Sequence, residues 1–72
     1  MAYHKEVKEN EIWVGNVSII RDLSYLKIAG VKFRRGIQAY DINGEKISKN
    51  YMLPLFVTKE TFDKYNRVME KL

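Results

Sequence analysis

Two short runs that alternate apolar and polar residues flank Asn43-Gly44 within Ile37-Gln38-Ala39-Tyr40-Asp41-Ile42-Asn43-Gly44-Glu45-Lys46-Ile47-Ser48. That dipeptide is the strongest short-range hairpin signal, because both residues tolerate positive φ. Two registers are open. In the preferred one Asn43-Gly44 forms a two-residue loop, Tyr40 faces Ile47 and Asp41 faces Lys46, which pairs apolar with apolar and acid with base. In the other, Asp41 starts a type I turn that ends in a glycine bulge, and Tyr40 faces Lys46. A calcium loop starting at Asp41 fails, because its sixth position needs glycine and holds Lys46.

A chain of 72 residues has room for one domain with one small core, a size that rarely supplies more than about 3–5 kcal/mol. It contains no cysteine, so neither disulfides nor a thiolate metal site can hold it together. Packing or self-association must do so. A hydrophobic content of 46% is too high for a disordered chain. No apolar run approaches the roughly 20 residues that cross a bilayer, so no membrane partner is expected. The stretch Met1-Ala2-Tyr3-His4-Lys5-Glu6-Val7-Lys8 is too charged for a signal peptide, which makes the cytoplasm the expected location. The triplet Asn16-Val17-Ser18 fits a glycosylation acceptor but carries no weight without a secretion signal. Residues with A/T-rich codons (Phe, Tyr, Met, Ile, Asn, Lys) far outnumber Gly, Ala, Arg and Pro, a bias that fits low-GC bacteria and their phages.

Along the chain, residues 1–10 read as a polar tail or weak edge strand, and residues 11–72 as a single α+β domain. Glu11–Val17 is rich in β-branched and aromatic residues and reads as a strand, broken or bulged at Gly15-Asn16, with Trp13 as a core anchor. Ser18 reads as the cap of a short helix over 18–27, with Ile19, Leu23 and Leu26 on one stripe and Gly30 as its stop. Tyr25–Ile28 also alternates, so the second half of that segment could instead be extended. Val31–Arg35 alternates cleanly, with Val31 and Phe33 inward and Lys32 and Arg34 outward. Ser48-Lys49-Asn50 is a polar connection. Tyr51–Val57 is the most apolar run, and Pro54, which cannot donate to a ladder, places it at a sheet edge or a bulge. Thr58 caps a second helix whose stripe is Phe62, Tyr65, Val68 or Met69, and Leu72. The expected fold class is α+β: a small antiparallel or mixed sheet of four to five strands, the C-terminal amphipathic helix on one face, and a short helix after the first strand.

Chemistry is sparse. His4 is the only histidine and falls in the expected tail, a poor place for a general base. No motif for a nucleophile, a phosphate loop or a metal is present, and no cofactor is expected. Asp22, Asp41 and Asp63 each have a structural position that accounts for them: a helix start, a turn and a helix face. The expectation is a non-enzymatic binding module that acts through protein–protein interaction, an accessory or regulatory protein that could form a homodimer. Its edge strand near Pro54 would pair with a partner or with its own copy. The alternative is nucleic-acid binding on a basic sheet face. The net charge of +4 is consistent with either. The candidate binding residues are Lys32, Arg34, Arg35, Lys46 and Lys49, with Tyr25, Tyr40 and Tyr51 as stacking rings if they face outward.

Overall fold

The computed structural model describes residues 4–48 and 51–71. Strand β1 (Glu11–Ser18) is followed by helix α1 (Ser24–Ile28), strands β2 (Phe33–Arg35), β3 (Ala39–Tyr40), β4 (Lys46–Ile47) and β5 (Met52–Thr58), and helix α2 (Phe62–Lys71). The α+β expectation holds: an antiparallel sheet is followed by a C-terminal helix. The strands divide differently from the expected single sheet. β1, β5 and β2 form one antiparallel sheet in that order, while β3 and β4 form a separate two-stranded ribbon.

The apolar run Met52–Thr58 is therefore central, not at an edge. Pro54 is tolerated there for a geometric reason. The N and O of one strand residue point to the same side, and the Pro54 carbonyl accepts from Gly36 N–H at 2.9 Å on the β2 side. Pro54 lies one position past the last β2 pair, Arg35 opposite Leu55, so its missing N–H costs the ladder only a terminal bond.

Alternation along β5 sends Leu55 and Val57 to one face of the sheet. There they pack with Leu26 of α1 and with Val31, and Phe62, Tyr65, Val68 and Met69 of α2 close over them. Thr58 caps the entry to α2: its Oγ1 accepts from Thr61 N–H at 3.3 Å. Pro54 and Phe56 face the other way and form a second, smaller core. His4, Trp13 and Tyr40 surround Phe56 and Gly36 there. The His4 ring stands edge-on to Trp13, Tyr40 and Phe56 at 5.0, 5.0 and 5.1 Å between centroids.

Residues 4–10 are thus neither a free tail nor an edge strand. They make turns and lie against the sheet, and His4 is 1% exposed. Its Nδ1 accepts from Glu6 N–H at 3.1 Å, so Nε2 carries the proton and donates to the Gln38 carbonyl at 2.9 Å. The Glu6 carboxylate accepts from the Ile37 and Gln38 amides at 2.9 and 3.0 Å. A periodicity reading misses this because the segment docks through a few polar contacts and one ring rather than through an apolar stripe.

The short helix lies later than expected. β1 pairs with β5 as far as Ser18 opposite Met52, so the ladder overrides the local helix signal. The Ser18 hydroxyl accepts from Ile20 N–H at 3.2 Å and closes a turn instead of capping a helix. α1 begins at Ser24, where the Asp22 carboxylate accepts from Ser24 N–H at 2.8 Å. Gly30 ends it, with φ +83.

The hairpin adopts the second register. Tyr40 faces Lys46 and Ala39 faces Ile47. Asp41 decides this: its Oδ1 accepts from the amides of Asn43 and Glu45 at 2.8 and 2.9 Å, and Gly44 N–H donates to the Asp41 carbonyl at 3.0 Å. Only Gly44 takes positive φ in this turn, whereas the two-residue loop would need it at Asn43 as well.

Candidate functional site

Of the five basic residues singled out in the sequence, the four that are described do not share one surface. Arg34 stands on the second-core face, its guanidinium 4.5 Å from the centre of the Phe56 ring. It donates from Nε and Nη2 to the Glu11 carboxylate at 2.9 Å, a bidentate pair. Arg35 projects to the opposite, helix-covered face and donates to the Val17 carbonyl at 2.9 Å. Burial holds its pKa below the ordinary arginine value. Both guanidinium groups are therefore already engaged inside the protein. Lys32 is exposed and 3.6 Å from Glu60. Lys46 is exposed on the β3–β4 ribbon, and Lys49 lies outside the described residues. Tyr40 packs against His4, while Tyr25 and Tyr51 are about half exposed on other elements.

Glu6, Glu11 and Asp22 are equally committed. Burial pushes the Glu11 carboxyl up, but hydrogen bonds from Arg34 and from Lys8 N–H outweigh it, and the net shift is downward. Glu6 behaves alike: burial raises its pKa, and the Gln38 and Ile37 amides bring it below the ordinary value. Asp22 is lowered by its bond from Ser24 N–H. Among the described residues, no group of three His, Asp or Glu side chains is placed to hold a metal ion.

A different feature stands out. A groove of about 450 Å³ opens between β1 and the ribbon. Trp13, Val14, Gly15 and Asn16 form one wall, and Tyr40, Asp41, Ile42 and Ile47 the other. Asp41 is the only formally charged residue in this lining. The walls are tied by Asn16, whose Nδ2 donates to the Tyr40 carbonyl at 2.6 Å, while its buried Oδ1 has no partner among the described residues. Ile42, at the ribbon tip, is 85% exposed. Ile20, Ile28 and Ile37 are exposed to the same degree, and what sets Ile42 apart is its place at the lip of an apolar groove.

Backbone geometry adds to this. Phe56 pairs with Arg34, Pro54 O accepts from Gly36 N–H, and Thr58 N–H donates to the Lys32 carbonyl. Even-numbered β5 residues therefore direct their backbone groups toward β2. Trp13 and Asn16, opposite Phe56 and Pro54, accordingly direct their N–H groups away from β5. Among the described residues neither amide has a backbone partner on that side. The register shifts between Trp13 and Gly15, and Gly15 takes φ +124, a bulge that breaks the flat run of the edge. The groove joins segments some 24 residues apart, so no local pattern announces it. The one available signal was Ile42, an isoleucine inside a polar turn.

No helix among the described residues is long and apolar enough to cross a membrane. Comparison with known protein families, with curated proteins and with solved structures gives no match.

Proposed function

We propose that this protein is a non-enzymatic binding module that captures a short, extended, apolar segment of a partner protein along the free edge of β1. The partner strand pairs with the outward amides near Trp13 and Asn16, and one of its apolar side chains sits in the groove below Ile42. The observation that carries the reading is this coincidence of unpaired edge backbone and an adjoining apolar groove, the two elements of recognition by strand addition. The bulge at Trp13–Gly15 favours a short foreign segment over a second copy of β1, because a symmetric ladder would meet the bulge twice. A cytoplasmic accessory role in a low-GC bacterium or its phage belongs to this reading and rests on composition.

The test uses Trp13, the only tryptophan and a groove wall. Peptides selected by display against the whole protein are titrated while Trp13 fluorescence is followed. Binding that shifts the emission and weakens about 10–150-fold with Ile42→Lys supports the proposal, given roughly 1.5–3 kcal/mol for a buried isoleucine. Peptides that bind without changing Trp13 emission, or that ignore Ile42→Lys, refute it.

A further inference from the structure

The basic side chains of α2 share one arc of the helix, with its acidic ones beside them. At 100° per residue, Lys64, Arg67 and Lys71 fall within about 60° of one another, and Asp63 and Glu70 follow about 40–60° beyond Arg67. The basic side is the one that meets α1. Lys64, Arg67 and Lys71 line a cleft of about 280 Å³ with Ala29 and Val68 between the two helices. Lys64 reaches across it: a Cβ placed on Gly30 would sit 3.3 Å from its Nζ. All three cations are exposed, and none lies within ion-pair distance of an acidic group among the described residues. This contrasts with Arg34 and Lys32, each of which has an acidic neighbour.

We infer that this cleft edge is a second binding surface, for the phosphate backbone of double-stranded nucleic acid, read without regard to sequence. From Lys64 to Lys71 the helix rises about 10 Å. One strand of a duplex presents a phosphate about every 3.4 Å along the axis, so three cations over that span face about three phosphates. No aromatic ring lines the cleft. Tyr65 belongs to the core-facing stripe, where burial raises its pKa. The cleft itself offers no ring on which unpaired bases could stack, and the half-exposed Tyr25 lies outside it, which favours a duplex over a single strand. The apolar residues of α2 face the core, so no apolar face of this helix is left to enter a lipid surface. The surface is independent of the β1 groove and survives if that reading fails.

The experiment is fluorescence anisotropy of a labelled random-sequence duplex of about 20 base pairs with the whole protein, at 50 and 200 mM salt. About three phosphate contacts predict a roughly 40-fold loss of affinity between the two conditions. Lys64→Ala/Arg67→Ala/Lys71→Ala, checked for folding by circular dichroism, should abolish most of the binding and flatten the salt dependence. Lys32→Ala/Lys46→Ala/Lys49→Ala should leave both nearly unchanged. No binding at 50 mM salt overturns the inference, and so does loss of binding in the second variant but not the first. Equal or tighter binding of a single strand of the same length overturns the duplex assignment. Binding to anionic vesicles but not to DNA, lost in the first variant, assigns the cleft to lipid and overturns it too.

Discussion

His4→Ala should be among the most damaging single changes in the chain. The ring is 1% exposed and touches three aromatic rings at about 5 Å. Each such pair is worth about 0.5–1.5 kcal/mol beyond simple burial. Its two nitrogens also satisfy Glu6 N–H and the Gln38 carbonyl, each a net contribution of about 1 kcal/mol. These terms share atoms and do not add fully, so the expected loss is about 2–4 kcal/mol. A core of this size rarely supplies more than about 3–5 kcal/mol, so a loss of about 3 kcal/mol leaves about 1 kcal/mol and roughly one molecule in six unfolded at room temperature. Urea unfolding, followed by circular dichroism and by Trp13 emission, reads the loss directly. His4→Phe keeps the ring contacts but strands both hydrogen-bonding partners, and should fall between the wild type and His4→Ala. A loss below about 0.5 kcal/mol for His4→Ala would place His4 back in a free tail and refute the second core.

Gly36→Ala should lower the melting temperature, because the new Cβ would sit 2.5 Å from Pro54 Cγ and 2.8 Å from Phe56 Cε2. Overpacking of this kind costs about 1–3 kcal/mol, or some 4–24 °C for a domain this small; an unchanged thermal melt contradicts the packing. Acid should weaken the fold through Glu6 and Glu11, whose folded pKa values lie below the ordinary 4.5. Their contribution is complete above the unfolded value and disappears as pH falls through the folded ones, so stability should drop below about pH 4.5. Glu6→Gln/Glu11→Gln should be less stable at neutral pH and show a shallower acid limb in urea titrations between pH 3 and 6. An acid limb as steep as that of the wild type would remove these two carboxylates from the account.

What could be read in the sequence follows from how local each signal is. The stripe of Phe62, Tyr65, Val68 and Met69 repeats every three or four residues and is found as α2 on the main core. The α+β class and the hairpin follow from similarly local patterns. The hairpin register was decided by Asp41 accepting two amides, a side-chain contact that cross-strand pairing preferences do not contain. Ser18 has good helix-cap chemistry, yet pairing with Met52 holds it in β1. Pro54 reads as an edge residue, and only the early end of β2 makes room for it at the centre. His4 was misplaced because a polar segment can dock through a few specific bonds. Arg34 and Arg35 read as one patch because they adjoin in sequence, whereas adjacent strand residues point to opposite faces.

The central claim is that the β1 edge at Trp13 and Asn16 is open and accepts a partner strand beside the groove. Amide hydrogen exchange, followed residue by residue by NMR, addresses it most directly. In the free protein the Trp13 and Asn16 amides should exchange far faster than those of Leu55 and Val57 in the central strand. Saturation with a display-selected peptide should slow both by at least about tenfold while leaving the central strand unchanged. Amides already protected in the free protein, or unaffected by a peptide that binds, would contradict the claim.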